Sequence, residues 1–313
     1  MPQRMRAILQ QAFGGPEVLQ LAQVDRPAPL ATEVLVRVTA VGVNPVEPII
    51  RSGQFPLIGQ PPFILGWDIS GVIEDLEGVT RFDVGDEVYG MPFFPRAASA
   101  YAEYVTAPSR QLARKPASLS HAEAAALPLA GLAAWQSLAD TAQLAAGQRV
   151  LIHGAGGGVG HLAVQIAKAR GAYVVGTASA AKHDFVRSLG ADEVIDYQAS
   201  DFASVARDMD VVLDSVGGDI ARRSIGVLRP GGLLVTIVGR RDVDLAARTR
   251  AAGRRFAGIS VEPDYPGLEA LAQLADSGKL GVHLQAILPL AEGAKAHELL
   301  ESGHTTGKIA LTI

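Results

Sequence analysis

The stretch VLIHGAGGGVGHLAVQIAKARG, from Val150 to Gly171, constrains the fold of this chain more than any other. Five of the seven residues from Gly154 to Gly160 are glycine. An apolar, strand-like run precedes the glycines, and apolar residues at helical spacing follow them until Gly171, a typical helix-ending residue. A strand, a glycine-rich loop and a helix in this order indicate a phosphate-binding loop that opens a βαβ unit.

The dinucleotide pattern G-x-G-x-x-G fits the loop in the frame from Ala155 to Gly160, with alanine at its first position. Gly157 then lets the backbone approach a pyrophosphate, and Gly160 lets the helix pack closely on the strand. The phosphates would lie on free N–H groups at the helix N-terminus. The predicted cofactor-binding residues of the loop are Ala155, Gly156, Gly157, Gly158 and Val159. A glycine-rich turn of an unrelated α/β protein is the alternative.

The end of the second predicted strand indicates which dinucleotide binds. An NAD site usually carries an acid there, which accepts a hydrogen bond from the ribose 2′-hydroxyl. Here no acid occurs from Val174 until Asp184, and Ser179 and Lys182 stand in its place. A hydroxyl and a cation suit a 2′-phosphate, and Tyr197 can add a phenolic donor. The prediction is NADP(H); the alternative is that Lys182 is a solvated helix residue.

The middle of the chain alternates apolar strands with amphipathic helices, which predicts an α/β fold with a doubly wound parallel sheet. Helices are predicted at Gly160–Arg170 and Ala181–Leu189. The six predicted strands are Val150–His153, Tyr173–Thr177, Glu193–Asp196, Val211–Asp214, Leu233–Val238 and Phe256–Val261.

The first third of the chain is instead rich in predicted strands, separated by Gly and Pro as in a small barrel or sandwich. This segment is too short to close a barrel alone, so we expect the C-terminal segment to complete it. The predicted domains are 1–121 with 263–313, which is discontinuous, and 122–262, which binds the nucleotide.

Composition excludes several classes of function. The net charge of −4 argues against nucleic-acid or anionic-membrane partners, which select for a basic face. The absence of cysteine excludes disulfides, catalytic thiols and cysteine-ligated metal. The N-terminus has no signal-peptide pattern, and the longest apolar stretch is too short for a bilayer span. We therefore expect a soluble, cytoplasmic protein.

With these motifs together, the chain resembles the medium-chain dehydrogenase/reductase superfamily, in its zinc-free quinone oxidoreductase (zeta-crystallin-like) branch. The resemblance implies a GroES-like, partly open β-barrel as catalytic domain, a Rossmann domain inserted in it, and a homodimer. The matching stretches, in family order, are VGVNPVEPIIRSG, GWDISGVI, GDEVYG, AAALPLAGLAAWQSL, AGGGVG and GKIAL.

Two departures from the zinc-dependent members concern the metal. Where those relatives carry a metal-binding cysteine this chain has Asn44, and where they carry a histidine it has Trp67. Thiolates and imidazoles usually hold a catalytic zinc of this kind. The resemblance therefore implies no metal, with Asn44 near the nicotinamide and Trp67 either walling the pocket or filling the core.

Other positions carry weaker expectations. By resemblance, Glu47 is structural, and Ile49 and Ala133 cannot supply the hydroxyls that relatives use there. Lys308 is expected to be a surface residue of a β-strand. At the carboxyl edge of the parallel sheet, the backbones of Val216, Ile237 and Gly239 are expected to contact the cofactor.

Hydride delivery from NADPH to a quinone or an α,β-unsaturated carbonyl is the predicted reaction, since these acceptors react without strong Lewis-acid help. The alternatives are an enoyl reductase of a biosynthetic pathway and a nucleotide-binding adaptor without enzymatic activity.

Overall fold

The computed structural model describes residues 3–313. The chain divides into two compact units. Unit 1 comprises the residues up to Leu132 together with Glu262–Asp276 and Val282–Ile313, and unit 2 comprises Ala133–Val261 and Ser277–Gly281. The domain limits expected from the sequence stay a prediction.

Strands dominate the first third of the chain and alternate with helices after it. The strands are β1 (Arg4–Gln10), β2 (Leu19–Asp25), β3 (Glu33–Val43), β4 (Phe63–Ile64), β5 (Ile69–Leu76), β6 (Glu87–Gly90), β7 (Tyr104–Pro108), β8 (Leu112–Arg114), β9 (Arg149–Ile152), β10 (Tyr173–Ala178), β11 (Glu193–Asp196), β12 (Met209–Asp214), β13 (Leu228–Thr236), β14 (Arg255–Gly258), β15 (Leu284–Pro289) and β16 (Lys308–Thr312).

The α-helices are α1 (Val46–Arg51), α2 (His121–Ala126), α3 (Pro128–Trp135), α4 (Gly160–Ala169), α5 (His183–Ser188), α6 (Phe202–Val205), α7 (Gly218–Ser224), α8 (Val243–Ala251), α9 (Tyr265–Asp276) and α10 (Gly293–Glu301). A π-helical segment, Gln136–Thr141, continues α3. Within residues 3–313, no helix combines the length and the apolar character that crossing a membrane requires.

Unit 1 is built on two sheets. One has the order β2-β1-β4, and the larger one has the order β15-β16-β3-β5-β6-β8, with β7 also paired to β3. Strand β16 is parallel to β15 and antiparallel to β3, with Ile309 opposite Val43. This register brings Lys308, at the start of β16, beside Asn44, directly after the end of β3.

Unit 2 holds a six-stranded sheet of order β11-β10-β9-β12-β13-β14 in which every pair is parallel. The predicted doubly wound α/β sheet is confirmed. Leu151, Val212 and Leu234 belong to its buried apolar core. Buried parallel strands are continuous apolar runs, and this is why the sequence pattern locates them well. Because the strands are parallel, the loops after their carboxyl ends meet at one edge of the sheet.

Candidate active site

The glycine loop follows the central strand β9 and leads into α4. Gly154 has φ +64° and Ala155 N–H donates to Thr177 O at 2.9 Å, which turns the chain over the end of β10. A Cβ on Gly160 would lie 2.1 Å from Gly154 O, so only glycine fits where the helix meets the loop. Gly158 and Val159 are half-buried at the start of the ten-residue helix α4. The backbone N–H groups there can hold an anion.

Ser179 and Lys182 lie beside this loop, after the carboxyl end of β10. Lys182 N–H donates to Ser179 O at 2.9 Å in a short 3-10 turn. The aliphatic part of Lys182 covers the loop, since a Cβ on Gly156 would lie 2.9 Å from Lys182 Cδ. Burial lowers the pKa of Lys182. The structure thus brings the predicted cation and the predicted phosphate loop together.

The remaining predicted cofactor contacts follow three other strands at the same edge. Tyr197, after β11, is 54% exposed, and Val216, after β12, is 55% exposed. Ile237 and Gly239 follow β13. The sequence did not point to Asp214, which holds the last two of these loops together.

Asp214 is buried and uses both carboxylate oxygens. Its Oδ1 accepts from Val216 N–H at 3.0 Å, and its Oδ2 accepts from Thr236 Oγ1 at 2.7 Å. Thr236 Oγ1 in turn accepts from Gly239 N–H at 2.9 Å. These hydrogen bonds hold together the loops whose backbones are predicted to contact the cofactor.

In unit 1, Asn44 lies at the centre of a buried polar cluster. Asn44 Nδ2 donates to Asp68 Oδ2 at 2.9 Å, and its backbone N–H donates to Glu47 Oε2 at 2.7 Å. Lys308 Nζ donates to Asn44 Oδ1 at 2.5 Å and to Val43 O at 2.8 Å. Lys308 is only 3% exposed, so its expected place on the strand surface is wrong.

Burial shifts the ionisation of this cluster. It raises the pKa of Asp68 to about 6, against the attraction of the Lys308 ammonium. It also raises the pKa of Glu47, against hydrogen bonds from Asn44 and Tyr101. The pKa of Lys308 is lowered by burial, against the charges of Asp68 and Glu47. Burial thus opposes the charge of each group, and the Lys308 ammonium and the Asp68 carboxylate offset this for one another.

A chain of buried hydrogen bonds extends from Glu47 to the surface. Tyr101 Oη donates to Glu47 Oε2 at 2.7 Å, and His297 Nε2 lies 3.1 Å from Tyr101 Oη. Arg51 lies 3.0 Å from His297 Nδ1 and pairs with Glu301. These contacts give Glu47 the structural setting that was expected of it.

Trp67 and Ile49 occupy different surroundings. Trp67 is 1% exposed, donates Nε1–H to Arg96 O at 2.6 Å and packs edge-on against Phe94. These contacts describe a core side chain, and a role in walling a substrate pocket stays a prediction. Ile49 is 43% exposed and borders a cavity of about 240 Å³. The lining residues are Pro45, Pro48, Ile49, Ser52, Gln54, Leu300 and Glu301.

Two family models match the chain. The alcohol dehydrogenase GroES-like domain matches residues 30–117, and the zinc-binding dehydrogenase model matches residues 189–311. The first confirms that the N-terminal part belongs to a GroES-like domain, the partner expected for the parallel sheet.

Curated and solved relatives match over nearly the whole chain. The quinone oxidoreductase of Rattus norvegicus is 31% identical, covering 99% of this chain and 98% of its own. The NADPH-dependent alkenal/one oxidoreductase, chloroplastic, of Arabidopsis thaliana is 33% identical over 99% of this chain and 80% of its own. The structure of the quinone oxidoreductase from Coxiella burnetii superposes with a TM-score of 0.94 at 35% identity, covering 99% and 100% of the two chains.

The residues of this chain do not fit the zinc that the second family model implies. Catalytic zinc is held by thiolate, imidazole or carboxylate ligands. The chain has no cysteine, and no group of three His, Asp or Glu side chains within residues 3–313 is arranged to hold a metal ion. Asn44 Oδ1 instead accepts a hydrogen bond from the Lys308 ammonium.

A nicotinamide dinucleotide, by contrast, fits. A Cβ on Gly160 would clash with Gly154 O, so glycine lets the loop lie tightly against the start of α4, where a helix N-terminus can face an anion. Gly157 would let a pyrophosphate approach the backbone, Lys182 would face the 2′-phosphate, and Val216 and Tyr197 offer exposed surface at the same edge. The chain belongs to the medium-chain dehydrogenase/reductase superfamily, in its quinone oxidoreductase branch, and is an NAD(P)H-dependent oxidoreductase.

Proposed function

We propose that the protein reduces a quinone or an α,β-unsaturated carbonyl with NADPH, without a metal ion. The observation that carries the proposal is the position of Lys182 over Gly156 of the glycine loop, with Ser179 beside it and no acid at the end of β10. A bound nicotinamide would supply the hydride. This chain's own residues would bind the cofactor, exclude water and orient the acceptor.

The preference for NADPH follows from charge. A 2′-phosphate placed near Ser179 and Lys182 gains charge-assisted hydrogen bonds that NADH cannot make. We expect NADPH to bind at least about tenfold more tightly than NADH, because a hydrogen bond to a charged group is worth about 1.5–3 kcal/mol. Lys182→Ala should remove most of this difference by weakening NADPH alone.

Fluorescence titration of the purified protein with each nucleotide measures the two dissociation constants. Lys182→Arg, which keeps the charge, should retain much of the preference, and Lys279→Ala, at an exposed position, is the matched control. Equal affinities of the wild type for NADPH and NADH would show that the cofactor assignment is wrong.

Two observations support the proposed class of acceptor. The residues of this chain do not fit a catalytic zinc, and its relatives are named for quinones or for alkenals and alkenones. The rat and Coxiella relatives are named for quinones and the Arabidopsis one for alkenals and alkenones. Such acceptors take hydride at carbon because their own conjugation stabilises the resulting charge. Asn44 is the polar side chain we assign to the acceptor's oxygen, and the cavity beside Ile49 can take an apolar part of the acceptor.

A turnover assay with NADPH and a panel of quinones, alkenals and enoyl thioesters tests this assignment. We expect turnover of quinones or alkenals, unchanged by a metal chelator. Turnover of the thioesters alone would support the enoyl reductase, and no turnover despite tight NADPH binding would contradict the proposed reaction. The homodimer and the cytoplasmic location stay predictions.

A further inference from the structure

Lys308 is a buried cation in the polar cluster around Asn44. A buried ammonium is costly unless it is paired and hydrogen-bonded. Lys308 meets this cost with the oxygens of Val43 and Asn44 and with the nearby charge of Asp68. An apolar side chain could fill this space without the cost of burying a charge. We therefore looked for a role of the Lys308 charge.

Lys308 and Asp68 together fix the orientation of the Asn44 side-chain amide. Its Oδ1 accepts from the Lys308 ammonium and its Nδ2 donates to Asp68. Exchanging the two ends of the amide would bring NH₂ against a cation and oxygen against a carboxylate, so one orientation is locked. Asp68 is itself held, because its other oxygen accepts from Leu129 N–H at 3.0 Å. The amide has two N–H bonds, and among the described residues only Asp68 takes one from Nδ2.

We propose that Lys308 is a positioning residue that orients and polarises Asn44 as the hydrogen-bond donor to the acceptor's carbonyl oxygen. The inference rests on the proposed function, in which Asn44 contacts that oxygen. A cation on Oδ1 draws electron density from the amide and strengthens its remaining N–H as a donor, an effect that low local polarity enlarges.

The reaction places negative charge where this donor acts. Hydride adds to the β-carbon of an enone, the C=C electrons move towards oxygen, and an enolate forms while the nicotinamide becomes oxidised. Water then supplies the proton at the α-carbon. A fixed donor aimed at the developing oxyanion stabilises this transition state without reorganisation. The buried Lys308 ammonium supplies positive charge at the oxygen end of the same amide.

The test compares Lys308→Met, Asp68→Asn and the double variant. Lys308→Met alone leaves the Asp68 carboxylate buried without its cation and can unfold the protein. The double variant removes both charges, so we expect its unfolding temperature and its NADPH dissociation constant to stay near the wild-type values. Its kcat should nevertheless fall about tenfold to a hundredfold, somewhat less than the loss of an oxyanion donor itself.

A second measurement does not depend on turnover. The infrared C=O stretch of a ¹³C-labelled quinone, bound together with NADP⁺, reports how strongly its oxygen is polarised. We expect a shift to lower frequency in the wild-type complex and the loss of most of that shift in the double variant. Lys295→Met replaces an exposed lysine that pairs with Glu292, and this control should keep both kcat and the shift.

Asn44→Ala distinguishes the proposed role of Lys308 from the proposed contact between Asn44 and the acceptor. If Asn44→Ala lowers kcat while the double variant keeps wild-type kcat and C=O shift, the role of Lys308 is refuted and the proposed function stands. Recovery of both stability and kcat in the double variant would likewise reduce Lys308 to a structural residue. If Asn44→Ala changes neither kcat nor the shift, the acceptor does not lie on Asn44.

Discussion

The buried side chain of His153 connects, through hydrogen bonds, to the glycine loop. Ser224 Oγ donates to Ile220 O at 2.8 Å, so His153 Nε2, at 2.9 Å, must donate to Ser224 Oγ. His153 Nδ1 is then the acceptor for the Thr177 hydroxyl at 3.2 Å. Thr177 Oγ1 accepts from Gly154 N–H at 3.3 Å. The neutral imidazole, in a single tautomer, is thus connected through the Thr177 hydroxyl to Gly154, the first residue of the glycine loop.

Protonation of His153 should destabilise the protein in acid. Burial lowers the pKa of His153 from 6.5 to about 4, against the attraction of Asp214. Between these values the unfolded chain binds the proton and the folded one does not, so stability falls as pH falls from 6.5 towards 4. At pH 5 the loss from this residue is about 2 kcal/mol.

Urea unfolding at pH 7 and pH 5 measures this loss. In His153→Gln the fall in unfolding free energy between the two pH values should be smaller by about this 2 kcal/mol, whatever the variant's stability at pH 7. His304→Gln, at an exposed position, is the control. A His153→Gln variant with the full wild-type pH dependence would show that this histidine titrates normally.

The junction between β9 and α4 depends on the absence of one side chain. Gly160 begins the helix against Gly154 O and Ala155 Cα, which a Cβ would approach to 2.1 and 2.7 Å. Both neighbours are backbone atoms of the loop itself, so they cannot move aside without changing the shape of the glycine loop. The close approach of helix and loop is thus a property of the whole strand–loop–helix element.

Gly160→Ala should therefore weaken NADPH binding by at least about tenfold and lower stability by about 1–3 kcal/mol, as overpacking does. Gly226→Ala is the matched control, since nothing lies within 4 Å of its added Cβ. Fluorescence titration and thermal unfolding of both variants provide the comparison. Wild-type NADPH affinity in Gly160→Ala would mean that the loop is not the phosphate site.

How much of the molecule follows from its sequence depends on the range of the interactions. The parallel sheet of unit 2 is local in origin: apolar runs of the right length predict its six strands, and Glu193–Asp196 is predicted with the observed bounds. The glycine loop and Lys182 follow from motif and spacing. The residues that determine each of these features lie close together in the sequence.

The buried cluster around Asn44 could not be predicted in this way. Lys308 and Asn44 are 264 positions apart, and only the pairing of β16 with β3 brings them together. A lysine at the start of a strand is ordinarily exposed, so its type argues for the surface. The one available signal was indirect: the chain places charged residues, Asp68 and Lys308, inside otherwise apolar motifs.

The position of β16 between β15 and β3 has a consequence for biosynthesis. The sheet of unit 2 uses only Arg149–Gly258, so it can form while later residues are still being translated. The larger sheet of unit 1 keeps an open edge on β3 until Lys308–Thr312 have left the ribosome. A nascent chain interrupted before that point therefore holds all six strands of the unit 2 sheet while β3 still lacks its neighbour β16.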